Sequence, residues 1–140
     1  MKSYVISDGW QIDVPESFIY ESDEEQGQFI FYPEDSDLTI RATPFTANKN
    51  GIPATKDIRQ NAFIGSISKS AVIKDNEQKA ALDNYLISFE YTYYERNQKV
   101  YSISLGIYNN NGMLLTINIF GTNKDEVEKI YSVIKEPYNI

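Results

Sequence analysis

Trp10, Ile12 and Val14 fall on one face of an extended segment, with Gln11 and Asp13 on the other. This is the period-two pattern of a half-buried strand. Pro15 ends it, because proline lacks the N–H that a ladder needs and is tolerated at strand ends rather than in strand interiors. A strand around Phe18 to Tyr20 follows, and the charged stretch ESDEEQG then reads as a hairpin turn in which Gly27 supplies a positive φ. QFIFYP and LTIRAT are the next two strands, separated by the turn formers PEDSD. Together these segments predict an N-terminal antiparallel meander.

The longest irregular connection is PFTANKNGIPA. In TKDIRQNAFIGSISKS after it, Ile58, Ala62 and Gly65 recur at three-to-four spacing beside Phe63 and Ile67, which predicts a helix opened by Pro53 or Thr55. AVIKD starts a strand, and three long strands follow. Tyr85, Ile87, Phe89, Tyr91 and Tyr93 share a face of the first, Tyr101, Ile103, Leu105 and Ile107 a face of the second, and Met113, Leu115, Ile117 and Ile119 a face of the third. ERNQK and NNNG are the hairpin turns between them, the second with an Asn-Gly pair suited to a tight primed turn. The chain closes on a helix with Thr122 as N-cap, Asp125 three residues on, and the stripe Val127, Ile130, Tyr131 and Ile134, stopped by Pro137.

The expected fold class is therefore α+β. It has one antiparallel sheet of six to seven strands and two main helices, one mid-chain and one C-terminal, layered α/β/α over a single domain spanning residues 1–140. A length of 140 residues suits one domain with a substantial core, and 41% hydrophobic and 14% aromatic residues agree with that. The opening MKSYVISDGWQIDV has no continuous apolar segment of a secretory leader, so a cytoplasmic protein is expected.

Charge narrows the partners. A net charge of −7 and the absence of Lys/Arg blocks disfavour nucleic acid and anionic membrane surfaces, and no run reaches the length of a membrane span. The chain has no Cys and no His, which excludes a Ser-His-Asp triad, a thiolate nucleophile and a His- or Cys-ligated metal within this chain. Glycine-rich phosphate cradles are missing too. No cofactor or metal is expected. Glu34, Asp35 and Asp37 lack the calcium-loop pattern and read as a solvated turn. Glu90 and Glu95 are the nearest approach to a glycosidase pair, but alternation places them where charges simply meet water.

The same alternation gives the long strands a second, mixed face. Glu90, Tyr94, Tyr108, Leu114 and Phe120 lie there with Leu86 and Val100, interleaved with Ser88, Thr92, Ser102, Ser104, Thr116 and Asn118. Such a face is either half covered by a helix or binds another protein. Glu90, Tyr94, Tyr108, Leu114 and Phe120 are accordingly the candidate partner-binding residues.

WQIDVPESF at the head of this order of elements resembles the opening of the PsbP-like superfamily, in which an alternating first strand runs into a proline and then an aromatic residue. That superfamily includes the photosystem II extrinsic subunit, a Ran-GTPase-binding import factor, DcrB-type lipoproteins and chaperones of type VI secretion effectors. The resemblance gives Trp10, Ile12, Val14, Pro15 and Phe18 a structural role. Since the superfamily's known members mostly bind proteins, it implies a non-enzymatic module of chaperone, immunity or adaptor type. A monomer or homodimer is expected. The alternative is a small-molecule or glycan-binding protein, with Glu90 at the centre of a weak carboxylate-dependent hydrolase.

Overall fold

The computed structural model describes residues 1–6, 9–23, 25, 27–46, 48–49, 52–53, 71–79, 85–108, 113–134 and 137–139. In chain order the strands are β1 (Lys2–Val5), β2 (Trp10–Val14), β3 (Ile19–Asp23), β4 (Gln28–Tyr32), β5 (Thr39–Thr46), β6 (Asn48–Lys49), β7 (Ile52–Pro53), β8 (Val72–Lys79), β9 (Tyr85–Glu95), β10 (Gln98–Tyr108) and β11 (Met113–Gly121). Helix α1 (Lys124–Ile134) and strand β12 (Tyr138–Asn139) complete the chain. An antiparallel seven-stranded sheet runs β3-β4-β5-β11-β10-β9-β8, a three-stranded sheet runs β1-β2-β12, and β6 and β7 form a small ribbon.

The expectation of two main helices in an α/β/α sandwich is overturned. The described residues are mostly β, and α1, with 11 residues, is the helix among them. The mid-chain helix expected over TKDIRQNAFIGSISKS lies outside the described residues, as does the NNNG turn. The layer facing the large sheet is built from α1 and the three-stranded sheet together. Its flanking strands β1 and β12 hold four and two residues, too few for a periodicity to register. They pair with β2 on its two edges, so WQIDV is the centre of a separate small sheet rather than the first strand of the meander.

Alternation in β2 does what the pattern requires: Trp10, Ile12 and Val14 are fully buried, while Gln11 and Asp13 are half exposed. They meet Phe31, Ile40, Ile103, Leu105, Leu115, Ile117 and Ile119 of the large sheet and Val127, Ile130, Tyr131 and Ile134 of α1 in one core. At the sheet edge an aromatic group ties the two sheets together. Tyr4 of β1 stacks on Tyr20 of β3 at 5.0 Å and meets Phe31 of β4 edge-on at 5.0 Å.

Turn chemistry sets the hairpins. Gly27 has φ +63° between β3 and β4, as expected of the ESDEEQG turn. Arg96 and Asn97 have φ of 51° and 65° between β9 and β10, the left-handed pair of a two-residue primed turn. The cap of α1 is one residue later than Thr122. Asn123 Oδ1 accepts the Glu126 N–H at 3.1 Å and its carbonyl accepts the Val127 N–H at 3.2 Å, which satisfies the otherwise orphaned first-turn donors. Thr122 is instead held by Asp37, donating its hydroxyl at 2.6 Å and its N–H at 3.2 Å. A Cβ on the neighbouring Gly121 would come within 3.3 Å of the Leu38 backbone.

Lys74 of β8 clamps α1 to the sheet. Its ammonium donates to Glu128 at 3.1 and 3.3 Å and to Glu90 at 3.4 Å, and lies 5.6 Å from the centre of the Tyr131 ring. Burial alone would lower its pKa, but the hydrogen bond to Glu128 and the charges of Glu90 and Glu128 outweigh burial and leave it above the ordinary 10.5. A raised folded pKa means that the stabilisation is complete below the unfolded value and is lost as pH rises through the folded one. K74M should therefore cost roughly 1 kcal/mol near neutral pH. Urea titrations of both proteins should show that gap closing above the 10.5 region, whereas a gap independent of pH would mean that the charge does not act.

Candidate functional site

Counting along the β9–β10 hairpin decides which side chains share a face. The two-residue turn pairs Glu95 with Gln98, and from there Tyr93 with Val100, Tyr91 with Ser102 and Phe89 with Ser104. Every pair therefore sums to an odd number. The aromatic row of β9 consequently stands on the face opposite Ile103, Leu105 and Ile107, which correct register places with Glu90, Ser88 and Leu86. Treating the odd-numbered residues of both strands as one apolar face is thus incorrect by one residue of register. A one-residue slip moves a whole strand's side chains to the other face.

The expected partner-binding residues separate accordingly. Tyr108 and Leu114 are cross-strand partners on the face away from α1, and both are buried with Ile87 and Phe89 in a second apolar cluster. Phe120 lies on that same face, half-buried, at its other end. Glu90 is on the α1 side, ion-paired with Lys74. Tyr94 is also on the α1 side, at the far end of β9, and is 73% exposed.

Between the buried cluster and Phe120 the second face turns polar. Asn118 of β11 is the hub: its Oδ1 accepts the hydroxyls of Tyr91 at 3.3 Å and Ser102 at 3.2 Å, and that of Ser104 as well. Ser104 is also 3.4 Å from the Tyr91 hydroxyl. Ser102 and Ser104 are buried, so this network satisfies groups that water does not reach. Three donors on one oxygen orient the amide, and its NH2 group takes no part in that cluster.

Directly across the strands from Asn118 is Arg41 of β5. Its guanidinium lies 5.4 Å from the centre of the Phe120 ring, an attractive cation–π distance. Its Nε is buried without a hydrogen-bond partner, a costly state for a donor on a charged group. Tyr93 stacks on Tyr91 at 6.2 Å along the opposite side of this patch. Burial raises the Tyr93 pKa above 10.0, aided by Tyr91 and Glu95 and opposed by Arg41, so the phenol stays protonated and able to donate. Beside Phe120 the patch opens into a cleft of about 270 Å³ lined by Asp37, Glu95, Gln98, Val100 and Thr122 among others.

Arg41 was missed because nothing near it in sequence marks it. Alternation with a longer turn puts Tyr91 and Tyr93 on the other face. The signal that finds the two tyrosines is the parity of the Arg96-Asn97 turn, which places them over Ser102, Ser104 and Asn118. Among the described residues no group of three or more acidic side chains is arranged to hold a metal ion, and no helix is long and apolar enough to cross a membrane.

No protein-family model matches the chain, and no curated protein does. Among solved structures, a protein of Bacteroides thetaiotaomicron VPI-5482 with a crystal structure at 1.50 Å resolution is similar, with a TM-score of 0.66 at 14% identity. The match covers 99% of this chain and 48% of that one, so the chain spans about half the length of its structural relative. The shared property is the fold.

Proposed function

We propose that this protein is a non-enzymatic binding module that takes a protein partner on the second face of its large sheet, centred on Arg41, Tyr93 and Phe120. The observation that carries the reading is Arg41 itself, set on the Phe120 ring beside the Asn118 hub, with a buried N–H left unpaired. Arg and aromatic side chains are the residues that concentrate at binding hot spots. The non-enzymatic part rests on the sequence, which has neither His nor Cys, and on the engagement of Glu90 with Lys74. Membership of the PsbP-like superfamily, whose known members mostly bind proteins, and a cytoplasmic setting belong to the same proposal.

The cleft beside Phe120 favours a second reading, a small polar ligand such as a sugar. Asp37 there is committed to Thr122, which leaves Glu95 as the other acid of the cleft and argues against a two-carboxylate hydrolase.

Photocrosslinking separates the faces. A benzoylphenylalanine at position 93 should trap a discrete protein partner in the native cells, and the same probe at position 94, on the opposite face, should not. Equal labelling from both positions, or none from 93, would remove this face as the docking surface.

A further inference from the structure

We infer that the partner is recognised through an acidic side chain, an Asp or Glu carboxylate accepted jointly by the Arg41 guanidinium and the Asn118 amide. This inference rests on the binding-module reading above and names the chemistry of its occupant. Donors outnumber acceptors at this point on the sheet. Arg41 has only donors to offer, and its Nε has no hydrogen-bond partner. Asn118 has its single acceptor filled by Tyr91, Ser102 and Ser104, so what it presents is its NH2 group. The two residues are register partners on adjacent strands, which roots the two side chains next to each other on this face of the sheet.

A carboxylate is the ligand whose geometry answers a guanidinium fork and whose charge answers a cation with an unpaired N–H. The walls suit a side chain rather than a free ion: Phe120 on one side and the stacked Tyr91 and Tyr93 on the other offer ring faces to the methylenes that carry an Asp or Glu carboxylate. Turning the guanidinium off the Phe120 ring to meet that carboxylate would expose Nε to its first acceptor. The cation–π contact is therefore the resting state of the unoccupied site. The protein's net charge of −7 disfavours acidic partners at long range, so recognition here depends on the local fork and favours a single acid within a neutral or basic segment.

The probe is a phage-displayed random peptide library, in which the displayed segment has no free C-terminus, selected against the wild-type protein and against R41Q after a melting curve shows that R41Q is folded. The expected result is a set of peptides sharing an Asp or Glu. They should bind R41Q roughly tenfold or more weakly, and the same loss should follow on wild type when the peptide acid is replaced by its amide. The peptide substitution makes the test independent of how the variant folds. Peptides that lack a shared acid, or whose amide forms bind equally well, would overturn the carboxylate and leave the binding module standing. Recovery of no peptide by either protein would overturn both.

Discussion

W10A should destabilise the protein by about 3–5 kcal/mol, the range for removing a fully buried aromatic side chain. That is a large share of the 5–15 kcal/mol that holds typical domains together. Trp10 is completely buried on β2, in the layer where the three-stranded sheet and α1 meet the large sheet, so no solvent can fill the space that it leaves. Because it is the single Trp of the chain, unfolding in urea has to be followed by circular dichroism rather than by its fluorescence. W10F is the informative partner. The indole Nε1 is buried with no hydrogen-bond partner, and its removal relieves an unsatisfied donor that costs roughly 1–3 kcal/mol. W10F should therefore lose less than half of what W10A loses. If the two variants are equally unstable, the indole N–H has a partner in solution.

How far the fold can be read from sequence depends on strand length and turn type. The buried residues of β2 and α1 were legible because Trp10, Ile12, Val14 and the Val127-Ile130-Tyr131-Ile134 stripe each carry their own period. β1 and β12 were not, because pairing with β2 rather than patterning makes them strands. The candidate site failed on a single residue of register. Alternation says which residues of one strand share a face, but the loop decides how two strands match. Reading ERNQK as a longer turn left the Tyr85–Tyr93 row on the wrong side, whereas left-handed Arg96 and Asn97 pair Tyr91 with Ser102. Tyr108 and Leu114 were correctly placed together on the second face, and their burial depends on packing that no local pattern encodes. Arg41 was illegible for a related reason. Its importance comes from Asn118 and Phe120, which lie far along the chain and reach it only through the β5–β11 pairing.

N118A should cost about 2–4 kcal/mol, as expected for removing the shared acceptor of three hydroxyls, two of them on buried serines. Ser104 can fall back on the Tyr91 hydroxyl at 3.4 Å, which keeps the loss below the sum of three full penalties. N118D tests the same hub from the other side. A carboxylate keeps the acceptor for Tyr91, Ser102 and Ser104, and it also places a negative charge across the strands from Arg41. Near neutral pH its urea midpoint should therefore stay at or above that of the wild type. Its binding should change in the opposite sense. The new charge satisfies Arg41 from within and removes the amide donor, so acidic peptides selected on the wild type should no longer bind. Stability retained while binding is lost separates a recognition role for this pair from a purely structural one, since a structural hub would move both together. If N118D falls as far as N118A, the cost of placing the charge there exceeds its attraction to Arg41, and the internal pair with Arg41 does not form.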